Sequence, residues 1–220
     1  MICPRCKRED PQNREMCPVC GAPIKLIPIP DGGKIKFGGY DWFVLDKQED
    51  KMLVITEKVI VKRPYHHEET EITWETCDMR AYLNGEFYNS FSEADRERII
   101  PVKNENLDNP WDGTNGGNPT EDMIFLLSIG EVVNYFGDSG KLKTKQFGPK
   151  GEAWWFDDQY NTVRTANFGS KGAWWWLRSA GYTSTRASYI TTGGNVHIHG
   201  ECTGSKGKCG GVRPALWLKV

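Results

Sequence analysis

Apolar and polar residues begin to alternate clearly at Lys34. Residues 35–45, Ile-Lys-Phe-Gly-Gly-Tyr-Asp-Trp-Phe-Val-Leu, predict two strands joined at the glycine pair. Residues 51–56 and 59–61 are again apolar and β-branched, and we expect them to continue an antiparallel meander. This part of the chain is therefore predicted to form a sheet.

Helical spacing follows in the middle of the chain. Over residues 74–87 apolar side chains recur as in an amphipathic helix, with Trp74, Cys77 and Ala81 along one stripe. Cys77 is interpreted as a buried thiol of this helix. Residues 92–95, Ser-Glu-Ala-Asp, resemble a capping box and predict a second, short helix.

A third helix is marked by its caps. Residues 123–127 are apolar and predict a short buried strand. Ser128-Ile129-Gly130-Glu131 is a capping box, and Gly137 ends the apolar periodicity after Phe136. Residues 140–172 are rich in turn-forming and aromatic residues and predict an irregular region.

The last quarter of the chain places a polar segment between two apolar strands. Residues 179–200 contain no Lys, Asp, Glu, Gln, Met or Trp, and Arg186 is their only full charge. Within residues 195–199, Asn-Val-His-Ile-His, the alternation predicts Val196 and Ile198 on a buried face. Such a polar face has the composition of an antibody paratope, although an ordinary solvated sheet rich in Thr and Ser has it too.

Two arginines lie inside the flanking apolar strands. We expect at least one of Arg178 and Arg213 to be buried, paired with a carboxylate or stacked on an indole; exposure at a strand edge is the alternative. Nine tryptophans occur in the chain, five of them between residues 154 and 176. This clustering predicts a core of packed indoles whose N–H groups need acceptors.

Length and charge narrow the classes of function. With 220 residues, 38% of them hydrophobic, the chain can form one large or two unequal domains. A net charge of −1 gives no basic field for nucleic acid or an anionic membrane. Without a membrane-spanning apolar run or a signal-peptide core, we expect a soluble cytoplasmic or phage-associated protein.

The four N-terminal cysteines form two C-x-x-C pairs, Cys3 with Cys6 and Cys17 with Cys20, separated by ten residues. Four thiolates in this spacing predict a tetrahedral structural zinc site, with a redox dithiol or disulfides as alternatives. Residues 1–22 resemble the short zinc ribbons of many bacterial proteins. Residues 23–33, rich in Pro and Gly, are expected to be a linker.

Two other polar segments could bind metals. The loop at residues 104–122 is rich in carboxylate and amide oxygens and is a candidate Ca²⁺ site, yet its spacing does not match an EF-hand loop. His66-His67-Glu68-Glu69 is interpreted as a solvated loop, because adjacent residues of a strand point to opposite faces.

Five motifs, in this order of elements, resemble a bacterial family of uncharacterised domains with the C-type-lectin-like fold. That family is related in architecture to formylglycine-generating enzymes and to the variable proteins of diversity-generating retroelements. The motifs are residues 37–45, residues 81–84 with 87–89, residues 124–128, residues 176–179 and residues 211–216. The resemblance implies an α+β domain over residues 34–220, with mixed and antiparallel sheets and two to three helices.

The resemblance to variable proteins also implies a binding function without catalysis. In such proteins the randomisation of template adenines in Asn codons excludes Lys, Glu, Gln, Met and Trp, all of which are missing between 179 and 200, so residues 179–205 are the expected variable segment. The implied ligand is a protein. The implied ligand-binding face comprises Tyr182, Ser184, Thr185, Arg186, Ser188, Tyr189, Thr191, Asn195, His197 and His199.

An enzyme and an adaptor remain alternatives. Formylglycine-generating enzymes use a cysteine pair with copper, and related sulfoxide synthases use a His/His/Glu iron site. Cys202 and Cys209 could bind a metal or form a disulfide, but the surroundings of the family's catalytic cysteines are not recognisable here. His197 and His199 share a predicted strand face, yet they lack a third ligand.

Overall fold

A computed structural model describes residues 33–148, 151–204 and 209–220. The zinc ligands predicted at Cys3, Cys6, Cys17 and Cys20, and all but the last residue of the predicted linker, lie outside this range. The described part is a mixed α+β structure in which most strand pairs are antiparallel.

Strands and short helices alternate along the described part of the chain. The strands are β1 (Lys34–Phe37), β2 (Tyr40–Lys47), β3 (Lys51–Thr56), β4 (Val61–Arg63), β5 (Ile99–Ile100), β6 (Val102–Asn104), β7 (Thr120–Asp122), β8 (Phe147–Gly148), β9 (Gly151–Glu152), β10 (Trp155–Phe156), β11 (Ala166–Phe168), β12 (Lys171–Ala173), β13 (Trp175–Ala180), β14 (Arg186–Ile190), β15 (Val196–Cys202), β16 (Gly210–Val212) and β17 (Ala215–Lys219). The α-helices are α1 (Asp78–Tyr82), α2 (Glu93–Arg96), α3 (Ile129–Phe136) and α4 (Asn161–Arg164). Two 3₁₀ turns (Trp74–Thr76 and Lys141–Lys143) and a π-helical turn (Leu83–Phe87) complete these elements.

The first sheet has the strand order β1-β2-β3-β17-β5 and is antiparallel throughout. Gly38 and Gly39 make the turn between β1 and β2 with positive φ angles of 55° and 83°, as the glycine pair predicted. The late strand β17 lies between β3 and β5. Its interior position joins the two ends of the described chain in one sheet.

The second sheet has the order β10-β15-β14-β13-β16-β4, and only β13 and β16 run parallel. The predicted meander is therefore wrong beyond β3, because β4 pairs with β16 in this second sheet. Both sheets contribute to one cluster of buried apolar side chains, together with α3. The buried indoles of Trp42, Trp175 and Trp176 each donate to a backbone carbonyl, as expected for buried N–H groups.

The helix predicted over residues 74–87 is broken into three pieces. A 3₁₀ turn precedes α1, a π-helical turn follows it, and the Cys77 sulfur accepts from the Arg80 N–H as the N-cap. Ala81 is exposed, and the buried stripe instead includes Met79 and Leu83. Cys77 is a buried thiol as predicted, and burial raises its pKa to about 12.

The capped helices form where the sequence places them. Ser92 caps α2, and Ser128 with Glu131 forms the complete capping box of α3, which ends before Gly137 at φ 118°. The buried strand predicted over residues 123–127 does not form: the segment is largely buried, but residues 123 and 124 form a bend and Phe125 makes only an isolated bridge to Ala215. Residues 66–69 form a loop as predicted.

Both arginines of the apolar strands are buried, which confirms the prediction. Arg178 is 5% exposed, and its Nη2 lies 3.0 Å from Glu131 Oε1. Arg213 is 1% exposed, lies 5.0 Å from the Trp175 ring centroid, and donates from Nε to Thr56 O at 2.8 Å. Burial lowers the pKa of Arg213 to about 9. In the described part of the chain, no helix is both long and apolar enough to cross a membrane.

Candidate binding face

The hairpin of β14 and β15 presents an outer face of imidazole and phenol rings. Val196 and Ile198 are fully buried, while His197 and His199 are partly exposed on the opposite side of β15, as the alternation predicts. A register shift between Ala187 and Tyr189 interrupts the pairing of the two strands. The hairpin therefore contributes the buried side chains of Val196 and Ile198 to the core and the imidazole rings of His197 and His199 to the outer face.

Three aromatic rings are stacked across the sheet, and a fourth packs edge to face against the stack. The His197 ring lies between Tyr189, at a centroid distance of 4.5 Å, and Trp155, at 5.5 Å, with interplanar angles of 15° and 24°. Tyr189 then meets Trp174 edge to face at 4.9 Å. Because β10 pairs Trp155 opposite His197, backbone pairing sets this stack.

A second stack runs beside the first. His199 lies between Tyr182, at a centroid distance of 5.3 Å, and Trp154, at 6.1 Å. The backbone supports this arrangement, because Trp154 O accepts from the His199 N–H at 3.1 Å. We call the two stacks together the stacked face; its residues are Trp154, Trp155, Trp174, Tyr182, Tyr189, His197 and His199.

Burial favours the neutral form of both imidazoles. It lowers the pKa of His197 to about 4, and the neighbouring His199 adds to this shift. The Gly200 N–H donates to His197 Nδ1 at 3.1 Å, which requires that nitrogen to carry no proton. Burial also lowers the pKa of His199, against the opposing effect of Asp112, whose Oδ2 lies 3.3 Å from His199 Nε2. The stacked face is therefore uncharged at neutral pH.

Charged groups border the stacked face beside His199. Lys145 Nζ lies 2.8 Å from both Asp112 Oδ1 and Glu152 Oε2, and these hydrogen bonds raise the pKa of the lysine. The 104–122 loop is hydrogen-bonded to the strands that carry the face. Asn109 Nδ2 donates to Ala180 O of β13 at 2.9 Å and to Ile198 O of β15 at 3.0 Å. This border contains both signs of charge.

The carboxylates of the 104–122 loop are engaged by protein groups. Asp112 pairs with Lys145, and the buried Asp122 accepts from Arg80 Nε at 2.6 Å and Trp74 Nε1 at 3.0 Å. Asp108 accepts the Gly116 N–H. These contacts account for the order of the loop, and the Ca²⁺ site stays a prediction.

The structure brings together four of the ten residues predicted for the face: Tyr182, Tyr189, His197 and His199. The partly exposed Ser184, Thr185 and Arg186 lie at the start of β14, and Thr191 and Asn195 bond to one another at its hairpin turn. Ser188 is wrongly placed by the prediction. It is fully buried, and its Oγ lies 2.9 Å from both Ala180 O and Ile198 O, where it satisfies a carbonyl beside the register shift.

Two residues of the stacked face were predicted to lie elsewhere. Trp154 and Trp155 were assigned to an indole core, but they are 55% and 45% exposed. Trp175 and Trp176 do belong to the core. Within β10 the alternation buries Phe156 and exposes Trp155, whereas Trp154 lies just before this strand.

The two C-terminal cysteines are free thiols. Cys202 ends β15 and is partly exposed, Cys209 is exposed, and residues 205–208 between them lie outside the described range. Burial raises the pKa of Cys202, as do Glu69 and Glu201, although Arg186 opposes the shift. Because thiolates are the reactive and metal-binding form, these surroundings do not activate Cys202.

Comparisons with known proteins identify a family over most of the chain. Residues 49–220 match a protein family described as a domain of unknown function, DUF6273. No curated protein and no solved structure matches the chain. The match starts in the turn between β2 and β3, so β1 and β2 extend the first sheet beyond the matched residues.

Proposed function

The chain belongs to the DUF6273 family, and we propose that it is a non-catalytic binding module whose stacked face recognises a protein partner. The observation that supports this proposal is that two ring stacks are built on His197 and His199, on the outer face of β15. Exposed indole and phenol rings at its edge, Trp154, Trp155 and Tyr182, remain available for contact.

The stacks favour binding because they are already ordered. Tyr and Trp side chains have few rotatable bonds, and those of the stacked face are held by neighbouring rings before a partner arrives. Binding then costs little additional side-chain entropy. Aromatic side chains of this kind dominate the energetic centres of protein interfaces.

The chemistry around the stacks favours a protein over a nucleic acid. The bordering Lys145 is neutralised by two carboxylates, and the chain has a net charge of −1, so no positive field attracts phosphates. An uncharged aromatic centre with a border of both charge signs matches the anatomy of a protein interface. We therefore expect a partner that contributes apolar or aromatic side chains to the stacks.

The proposal also specifies the fold of the domain and the origin of its polar segment. We propose that residues 34–220 form a C-type-lectin-like domain and that residues 179–205 are diversified by a retroelement. The restricted residue types of 179–200 support this idea. A test is genomic: we expect a near-copy of the terminal coding region, differing only at adenines, beside a reverse transcriptase. If the genome of origin contains neither the near-copy nor the reverse transcriptase, the proposed diversification is contradicted. The proposal that the stacked face binds a protein is unaffected by that result.

The binding proposal is tested by comparing three forms of the full chain. The first is the wild type, the second carries Ala at Trp154, Trp155 and Tyr182, and the control carries Phe168→Ala. Phe168 is 41% exposed and lies beneath Lys62 of β4, at the opposite edge of the second sheet. Thermal melts and circular dichroism are used to check that each of the three forms is folded.

We expect a partner captured from the source cells by the wild type and the control to be lost by the triple variant. The partner is then purified, and its affinity for each form is measured by calorimetry. Each aromatic hot spot contributes at least about 2 kcal/mol, so the triple variant should bind at least about a thousandfold more weakly. Equal affinity of the triple variant and the wild type contradicts the proposal.

A further inference from the structure

Two histidines and an aspartate converge outside the stacked face. The candidate ligand atoms of His66, His67 and Asp78 all lie within 4.8 Å of one another. Asp78 Oδ2 is 3.1 Å from His66 Nδ1 and 2.6 Å from His67 Nδ1. In the described part of the chain, this is the one group of three His, Cys, Asp or Glu residues with such spacing. We propose that it is a binding site for Zn²⁺ or a similar divalent transition metal.

The fold brings these residues together through local backbone contacts. The His66 N–H donates to Thr203 O at 2.9 Å, which ties the loop to the segment after β15. The Met79 N–H donates to Tyr65 O at 3.1 Å, which ties the same loop to the first turn of α1. Because the chain bends at residues 66–69 instead of forming a strand, the two adjacent imidazoles do not point to opposite faces. Their ring centroids are only 4.3 Å apart.

The Asp78 carboxylate joins the two imidazoles. Asp78 Oδ2 accepts the His67 backbone N–H at 2.8 Å and lies 2.6 Å from His67 Nδ1, a hydrogen bond with one proton between the two atoms. The same oxygen lies 3.1 Å from His66 Nδ1, which accepts the Asp78 backbone N–H at 3.4 Å. A divalent cation that binds here takes the place of the proton between His67 and Asp78, because metal ligands must be deprotonated.

The spacing also suits tetrahedral coordination. With metal–ligand bonds of about 2.0 to 2.1 Å, a tetrahedral zinc ion holds its ligand atoms about 3.3 Å apart. The measured separations of 2.6 and 3.1 Å are shorter than this value, and the exposed His67 and Asp78 side chains can move apart as the ion enters. Imidazole nitrogens with one carboxylate are typical ligands of Zn²⁺ and other first-row transition metals, whereas Ca²⁺ and Mg²⁺ prefer oxygen ligands only.

The cluster combines a buried side with an open side. The His66 side chain is 11% exposed, whereas those of Asp78 and His67 are 47% and 65% exposed. His66 is thus held by the protein, and the other two ligands can adjust as the ion enters. The open side leaves a coordination position for water or for a group of another molecule.

The test counts zinc ions bound by the full chain. We expect wild type to bind one more Zn²⁺ than His67→Gln or Asp78→Asn, in titration calorimetry and in elemental analysis after gel filtration. This difference does not depend on how many ions the cysteines bind. The matched control is His197→Gln, which removes an imidazole from the stacked face and should bind as many ions as wild type.

Saturating Zn²⁺ should also raise the melting temperature of wild type and of the control more than that of the two cluster variants. The exposed His67 side chain makes its replacement safe for folding. If H67Q and D78N bind the same number of ions as wild type with the same affinity, the assignment is overturned. It is equally overturned if H197Q loses the ion, because the zinc then binds at the stacked face.

Discussion

His197 links the stacked face to the pH dependence of folding. Its pKa is lowered from its ordinary value of 6.5 to about 4, chiefly by burial. As the pH falls below 6.5 the unfolded chain takes up this proton before the folded chain does, so the free energy of unfolding decreases. The stability contributed by this side chain is complete above pH 6.5 and is lost toward pH 4.

We expect wild type to lose about 3 kcal/mol more than His197→Gln between pH 7 and pH 4, since one pKa unit corresponds to about 1.4 kcal/mol. Urea unfolding at several pH values measures the difference. Gln has no titrating group in this range, and all other residues are the same in both proteins. Parallel stability curves for the two proteins would show that His197 is protonated as easily in the folded state as in the unfolded one.

The arginines test whether charge burial contributes to stability. Arg178→Ala removes the partner of Glu131 within the capping box of α3, and we expect a loss of about 3 kcal/mol in the free energy of unfolding. Arg213→Ala should also be strongly destabilising because it opens a cavity against Trp175. The control, Arg186→Ala, removes a partly exposed side chain and one hydrogen bond to Gly200 O. Similar losses for all three variants would contradict this ranking.

Residue-scale predictions succeeded where one chemical requirement decides the position. A guanidinium inside an apolar strand needs an acceptor or an aromatic ring, and this requirement correctly places Arg178 and Arg213. Ser188 failed because a hydroxyl can occupy either face of a strand. It is buried beside the register shift, where its Oγ and the Asn109 amide both lie within hydrogen-bond distance of Ala180 O and Ile198 O.

The β14–β15 hairpin depends on one glycine. Gly200 has a φ angle of 74°, and a Cβ atom there would lie 2.4 Å from Ala187 O. An alanine at this position combines backbone strain with a collision against backbone atoms, neither of which a small side-chain shift can relieve. This glycine therefore permits the shift in register between the two strands.

We expect Gly200→Ala to lower the free energy of unfolding by at least about 2 kcal/mol. Gly39→Ala is the matched control, because Gly39 also has a positive φ angle of 83° but has open space around its Cβ position. Gly39→Ala should lower the free energy of unfolding by less than Gly200→Ala, because it adds backbone strain without a collision. Chemical denaturation measures both, and equal losses would mean that the hairpin adjusts to the added methyl group.

The helix that has both an N-terminal capping box and a C-terminal glycine was predicted correctly. The helical segment that is interrupted by tertiary contacts was not. The capping box and Gly137 place the ends of α3 to the residue. Over residues 74–87 the spacing indicates one helix, but the buried anchors include Trp74, Met79 and Phe87, and the backbone changes its helical type twice to keep them inside. A single periodicity cannot describe such a segment.

At the scale of the whole molecule, the pairing of strands determines which residues become neighbours on the stacked face, and local sequence patterns do not predict this pairing. The stacked face exists because β10 places Trp155 opposite His197, and these two residues are far apart in the chain. Local alternation predicts which side of β15 faces outward, but it contains no information about which strand will lie at its edge. For this reason the histidines and tyrosines were predicted and their tryptophan neighbours were not.

The interior place of β17 in the first sheet affects how the domain is made. Ala215 pairs with Ile55, so one side of β3 has no strand partner until nearly all of the intervening chain exists. During synthesis that open strand edge, lined by Leu53, Val54 and Ile55, can recruit the same edge of another nascent copy. Deleting β17 would leave this edge permanently unpaired.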